Sequence, residues 1–267
     1  MKILVPTDFS DNANNALDFA TEIAKAEKAE ITLLYAFYAV YDFAAQATEI
    51  ISTIERDAKK QLKEISERFK SQGLTIDYKI IQGSVATAVT SFAYRNEYDL
   101  IVMGTQGASG IKKALIGSNT AHVIKDAMTP VLAVPNNADL PSKNKICAAL
   151  ELLNEKEIQF KNLFRLSAKL NLPYEFFHIC KELAFDKKIE IKGLESYLKD
   201  TYPEIQASFH VNYADNTEEG IKSYLDKNPN SILVTFSKNK TFYEYLFNKS
   251  TSVEMAYHTH VPLLVVK

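Results

Sequence analysis

Short apolar runs and stretches of helical spacing alternate along the first half of the chain. The run KILVP (2–6) is apolar and ends at Pro6. NNALDFATEIAKAE follows, with Ala16, Leu17, Ala20, Ile23 and Ala24 at helical spacing, and Asp8, Ser10 and Asp11 offer capping side chains ahead of it. EITLLYAF (30–37) reads as the next strand. Residues 48–71 carry Ile50, Ile51, Ile54, Ala58, Leu62, Ile65 and Phe69 on one helical face and stop at Gly73. LTIDYKII (74–81) alternates like a strand, and SVATAVTSFAYRN has helical spacing. DLIVMG (99–104) is a strand, SNTAHVIKDAM a helix, and PVLAVP (130–135) a last strand. Near-continuous apolar strands separated by amphipathic helices predict a parallel sheet covered on both faces.

Residues 136–144, NNADLPSKN, are polar and read as a linker. The pattern then begins again. KILVPTD (2–8) becomes KICAALE (145–151), and LLYAF becomes FFHIC (176–180), both at a shift of 143. TPVLAVP (129–135) becomes VPLLVVK (261–267), and DLIVMGT (99–105) becomes SILVTFS (231–237), at a shift of 132. The second copy is therefore shorter between its second and fourth strands, and the long helix of the first copy is the segment expected to be trimmed. The expectation is α/β: two tandem doubly wound, Rossmann-like domains, 1–138 and 145–267, each a five-stranded parallel sheet. The last strands, 131–134 and 263–266, are short and apolar, and as sheet edges they need cover.

Composition narrows the class of function. A chain that is 46% hydrophobic and 24% charged has a packed core. With Lys+Arg at 31 and Asp+Glu at 33 it carries no electrostatic footprint for nucleic acid or an anionic membrane. No apolar run approaches the roughly 20 residues of a membrane span. Cys147 and Cys180 form no C-x-x-C pair, and a reducing, cytoplasmic location is the simplest expectation. In adjacent predicted strands, both read as buried thiols. His258 and His260 stand two apart before the last strand, without a third ligand nearby, and suit a helix C-terminus better than a metal.

The candidate chemistry lies in VMGTQGASGIKKALIGSNTAHVI (102–124). Gly104, Gly107, Gly110 and Gly117 are four of the chain's eight glycines. In a doubly wound sheet, ligands sit beyond the carboxyl ends of the strands, where strand order reverses. Glycine there can take positive φ and let the backbone approach a ligand. A helix beginning near Ser118 presents unpaired N–H groups to a phosphate, and Ser118 and Thr120 add hydroxyl donors. The alternative is an ordinary flexible loop that uses glycine for turns, with Lys112 and Lys113 as solvated charges. The window contains no Gly-Lys, so it is not a P-loop, and the first strand is followed by PTDFSD, not by a G-x-G-x-x-G turn.

The spacing Gly104-x-x-Gly107, nine residues, then Gly117-Ser118, taken with KILVPTDFS and TPVLAVP, resembles the universal stress protein family in its ATP-binding branch. The resemblance covers both halves, so the chain is similar to a tandem member, most specifically over 1–135. It implies that 131–134 and 263–266 pair antiparallel, as such strands do between single-domain members, giving an intramolecular pseudo-dimer, with further homodimer formation open. It implies a site with Pro6, Thr7 and Asp8 on the adenine side and Ala36 against the base. It places Met103 and Gly104 beside the ribose. Gln106, Gly107, Gly117, Ser118, Asn119 and Thr120 would line the triphosphate. Asn119 stands where a small apolar residue is common. ATP is the implied ligand, and family members often hold a divalent ion on its phosphates, so Mg is implied with it. In the second half Gly104 becomes Phe236, Gly107 Asn239 and Gly117 Lys249, with only Ser250 keeping its type, while Asp8 becomes Glu151. One nucleotide site per chain is expected. Three functions compete: a non-catalytic ATP-binding stress-response protein, an enzyme hydrolysing ATP or transferring a nucleotidyl group, and an interaction scaffold without a ligand. An enzyme needs an activated nucleophile, a carboxylate pair for metal, or a positioned base. The nearest acids to the window, Asp99 and Asp126, lie outside it, which favours the first reading; its protein partners are not specified by the chain.

Overall fold

A computed structural model of the 267-residue chain describes residues 1–38, 44–105, 117–136, 138–152, 155–236 and 261–267. The chain divides into two compact units, Met1–Asn137 and Ala138–Lys267. The first contains β1 (Lys2–Pro6), α1 (Asp11–Glu27), β2 (Glu30–Phe37), α2 (Ala44–Lys70), β3 (Ile76–Gln82), α3 (Val85–Arg95), β4 (Leu100–Gly104), α4 (Ser118–Asp126) and β5 (Val131–Val134). Its strands are parallel in the order β3-β2-β1-β4-β5. The chain steps outward from β1 to β3 and then returns to β4, so the order reverses between β1 and β4. Right-handed crossovers put α1 and α2 on one face and α3 and α4, which pack on each other, on the opposite face.

Local chemistry explains the elements around that reversal. Every residue of β4 is buried, as its unbroken apolar run predicts. The helix α1 starts at Ser10, whose Oγ accepts from Ala13 N, and buries Ala13, Ala16, Leu17, Phe19, Ala20, Ile23 and Ala24 along one face. It ends at Lys28 in the left-handed conformation, φ 51°. α2 is anchored by a narrower stripe, Ala58, Leu62 and Phe69, each under 5% exposed.

The second unit contains β6 (Lys145–Leu150), α5 (Glu157–Ser167), β7 (Tyr174–Cys180), α6 (Phe185–Thr201), β8 (Ala207–Tyr213), α7 (Thr217–Lys227), β9 (Ser231–Phe236) and β10 (Leu263–Val266). Its strands are parallel in the order β10-β9-β6-β7-β8. The register repeats residue by residue. Ile3 lies opposite Ile31 and Leu100 in the first unit, and Ile146 opposite Tyr174 and Ile232 in the second. Those pairs carry the shift of 143 for the first two strands and 132 for the fourth. The third strands, with Ile31 opposite Ile76 and Tyr174 opposite Ala207, are related by 131. The shortening therefore lies in the connection that holds α2 and α6, helices of 27 and 17 residues, and the turn before α7 regains one residue. Phe9 and Leu152, also 143 apart, both take left-handed backbone, φ 64° and 60°. This strand-to-helix turn is thus a property of the fold and not of either sequence.

Candidate nucleotide site

An open cleft lies at the carboxyl ends of β1, β2 and β4, at the point where strand order reverses. Pro6, Thr7, Asp8, Ala36, Met103, Gly104, Gly117, Ser118, Asn119 and Thr120 line it. Ten of the twelve residues expected from the sequence are thus brought together. The other two, Gln106 and Gly107, lie outside the described residues, as do Gly110, Lys112, Lys113, Asn239, Lys249, Ser250, His258 and His260. Four lining residues were not anticipated: Ala13, Leu34, Val85 and Val89. Leu34 shares a strand face with Ala36, two residues on, and Val85 and Val89 are one helical turn apart on α3. That spacing is visible in the sequence, but which face meets the cleft is not.

The β1–α1 turn is held by its own side chains. Thr7 N donates to Leu34 O at 2.9 Å, and Thr7 Oγ1 accepts from Phe9 N at 3.0 Å. Asp8 does not cap α1. Its Oδ1 accepts from Ser10 N at 3.1 Å and from Ser10 Oγ at 2.6 Å, so Asp8 fixes the residue that does cap. Phe9 stacks on Tyr35 at a centroid distance of 5.0 Å.

Gly104 and Gly117 do not serve through positive φ, one of the two reasons the sequence suggested. Neither Gly104 nor Gly117 has positive φ; among the described glycines only Gly73 and Gly83 do. Gly104 is bare because of α1. A Cβ there would overlap Asn12 Oδ1 and stand 2.7 Å from its Cγ and 3.0 Å from its carbonyl oxygen. Gly117 has φ −61° and ψ 152°, extended backbone that any residue adopts, so resistance to a side chain at this position cannot come from backbone strain. Its N–H donates to Thr105 O at 2.5 Å, which joins the two ends of the 106–116 segment. What glycine omits at 117 is a cap. It is the N-cap of α4 and supplies no side-chain oxygen to the helix.

The first closed bond of α4 runs from Ala121 N to Gly117 O. The N–H groups of Ser118, Asn119 and Thr120 therefore have no acceptor within the helix. Ser118 and Asn119 are exposed to the cleft. Thr120 differs from expectation. Its hydroxyl is buried and donates to Gly104 O at 2.7 Å, tying the start of α4 to the end of β4. Its hydroxyl is engaged in the fold.

A second polar cluster sits in the second unit, at the amino ends of β6 and β7. Lys145 Nζ donates to Glu175 Oε1 at 2.7 Å and to Asn228 Oδ1 at 3.2 Å, and Tyr224 OH donates to Glu175 Oε2 at 2.7 Å. Cys147 Sγ lies 3.9 Å from the same oxygen. Burial, the main cause, pushes the Cys147 thiol up to about 11, which leaves almost no thiolate at neutral pH. With its partners matched, the cluster holds the sheet together and presents no reactive group. Cys180, expected to be buried, is half-exposed at the end of β7.

Comparison with known proteins follows the same outline. A curated relative, universal stress protein MJ0531 of Methanocaldococcus jannaschii, is 36% identical over 140 residues, covering 50% of this chain and 81% of that protein. Universal stress protein YxiE of Bacillus subtilis is 28% identical over 144 residues, covering 50% of this chain and 97% of its own. A universal stress protein structure from Archaeoglobus fulgidus covers 100% of this chain and 98% of itself at TM-score 0.78 and 17% identity, a likeness of fold. A universal stress protein crystallised in complex with cAMP is 29% identical over 50% of this chain, with TM-score 0.39. The pattern of the Universal stress protein family matches residues 1–135, and on that match the chain belongs to the universal stress protein family.

Proposed function

We propose that the first unit binds one ATP in this cleft and that the chain works as a non-catalytic, cytoplasmic, nucleotide-responsive protein. The observation that carries the reading is the uncapped start of α4 at the mouth of a partly apolar cleft. Three amides without helical acceptors and the positive end of a nine-residue helix meet there. A side-chain oxygen at position 117 would fill this place; glycine leaves it to a ligand. Hydrogen bonds from amides to a charged phosphate contribute roughly 1.5–3 kcal/mol each. Three of them support roughly micromolar affinity after the cost of ordering the ligand.

The rest of the lining suits the other end of a nucleotide. Ala13, Leu34, Ala36, Val85 and Val89 offer an apolar wall to a base. The Asp8 carboxylate lines the cleft; a carboxylate accepts hydrogen bonds from ribose hydroxyls or an exocyclic amine and repels phosphate. Gln106 and Gly107 complete the phosphate contacts in this reading, and Mg would rest on the phosphate oxygens.

Catalysis is disfavoured by the donor set. Asp8 is the one carboxylate among the described lining residues, and its Oδ1 already accepts two hydrogen bonds from Ser10. No histidine, lysine or cysteine stands among those residues to activate a nucleophile. The test is a mass spectrum of the small molecules released when protein purified without added nucleotide is denatured. An adenine nucleotide is expected. Its absence, together with no uptake of ATP by the stripped protein, would favour the scaffold reading, and steady phosphate release with Mg would favour the enzyme.

A further inference from the structure

The second unit carries larger side chains at three positions corresponding to the cleft wall. The matching strand registers put Leu34 on Phe177 and Ala36 on Ile179, and the registers of the fourth strands put Gly104 on Phe236. The helix caps Ser84 and Asn216 align α3 with α7, which puts Val89 on Ile221 and Ala88 on Gly220. Leu34, Ala36 and Val89 thus all have larger counterparts, and the bare approach point becomes an aromatic ring.

These side chains are packed, not loose. Phe177 stacks on Tyr224 with centroids 3.9 Å apart and planes 11° from parallel. Phe236, 1% exposed, packs on Phe160 at 5.3 Å. Ile179 rests on the backbone of Gly220. A Cβ on Gly220 would overlap Ile179 Cγ2 and stand 3.0 Å from its Cδ1. The first unit has a methyl group at that position, on Ala88. The second unit has removed the methyl from the helix and enlarged the side chain on the strand, so the gain at one site matches the loss at the other.

We propose that the second unit is a self-filled copy of the first. Ile179, seated on Gly220, takes up the space that the first unit keeps in front of Ala36 for a base. The size pair on strand and helix then decides whether a domain of this chain accepts a nucleoside. Ala36 with Ala88 leaves the cleft open; Ile179 with Gly220 closes it from within. The inference rests on reading the first-unit cleft as a nucleotide site. It assigns specificity to a helix residue, Ala88, that does not itself line the cleft. It also predicts that nucleotide stabilises the first unit alone, because the second already contains its filling.

The experiment transplants the pair. In the full chain, Ala36→Ile combined with Ala88→Gly gives the first unit the second unit's packing. Calorimetric titration with ATP and, separately, with adenosine should show affinity falling by about 100-fold or more, while the melting temperature without ligand stays near the parent's. Ala36→Ile alone should melt lower than the double variant. A parent that binds neither probe would remove the nucleotide reading itself. A parent that binds, beside a folded double variant of unchanged affinity, would overturn the inference and leave that reading standing. The second unit supplies an independent check should the transplant not fold. Ile179→Ala and Gly220→Ala should each lower its melting temperature, and together by clearly less than the sum. Additive losses there would mean that the two positions are not a matched pair.

Discussion

At the scale of single residues, the two central glycines of the cleft have different duties and should respond differently to substitution. Gly104 accommodates α1. Gly104→Ala drives a methyl group into Asn12, an overpacking expected to cost roughly 1–3 kcal/mol in urea unfolding. Asn12→Ala, which shortens the side chain that is met first, should restore part of the loss. No recovery in the double variant would show that the backbone carbonyl of Asn12, not its side chain, sets the limit. Gly117 is an uncapped helix start with ordinary dihedrals. Gly117→Asp should therefore fold, and should gain about 0.5 kcal/mol from capping and from charge at the helix start. The same carboxylate would occupy the amides and repel a phosphate, so ATP affinity should fall while stability rises. A variant that binds ATP as tightly as the parent would remove α4 from the site. The positions of both glycines were legible in the sequence. Their reasons were not, because one depends on a side chain 92 positions earlier in the chain.

At the scale of elements, pairs of strands and helices are joined by polar contacts whose strength depends on pH. The contact between β6, β7 and α7 centres on Glu175, about one-fifth exposed. Burial works most strongly to raise its carboxyl value. Hydrogen bonds from Lys145 and Tyr224, with the charges of Lys145 and His210, outweigh it and hold the group below its ordinary value of 4.5. A lowered folded value gives stability that is complete above the unfolded value and is lost as pH falls through the folded one. As pH falls below about 4.5, the parent's melting temperature should therefore fall more steeply than that of Glu175→Gln. Parallel slopes would mean that the carboxylate contributes nothing to linkage. The corresponding edge of the first unit uses a neutral pair, Tyr98 OH donating to Thr32 Oγ1 at 2.8 Å. Periodicity showed the elements themselves. It could not show this contact, since the residues involved come from three separate segments.

At the scale of the whole molecule, the two units share register to the residue and differ in what fills their clefts. Calorimetric titration of the stripped chain with ATP and Mg should saturate near one site per chain. A value near two would mean that Ile179 and Phe236 yield to a ligand; a value near zero in folded protein would return the chain to the scaffold class. The asymmetry has a simple logic. On the proposed function, one unit would gain stability from nucleotide and the other would carry that contribution in its own side chains, so a change in ATP concentration would act on one half of the chain.

The sequence by itself determined the alternation of strand and helix, the repeat, the shifts of 143 and 132, and the place of the glycine window between β4 and α4. Each is written in the spacing of apolar residues or glycines along a short stretch, which is the range over which backbone period and turn chemistry act. The tertiary structure decided how those residues are used. It turned Gly104 into a seat for Asn12, engaged the Thr120 hydroxyl with Gly104 O, and made Asp8 the support of a cap and not the cap. It also matched Ile179 to Gly220 across 41 residues of chain. Those outcomes depend on volumes and donors meeting between elements far apart in sequence, and no local period encodes which two will meet.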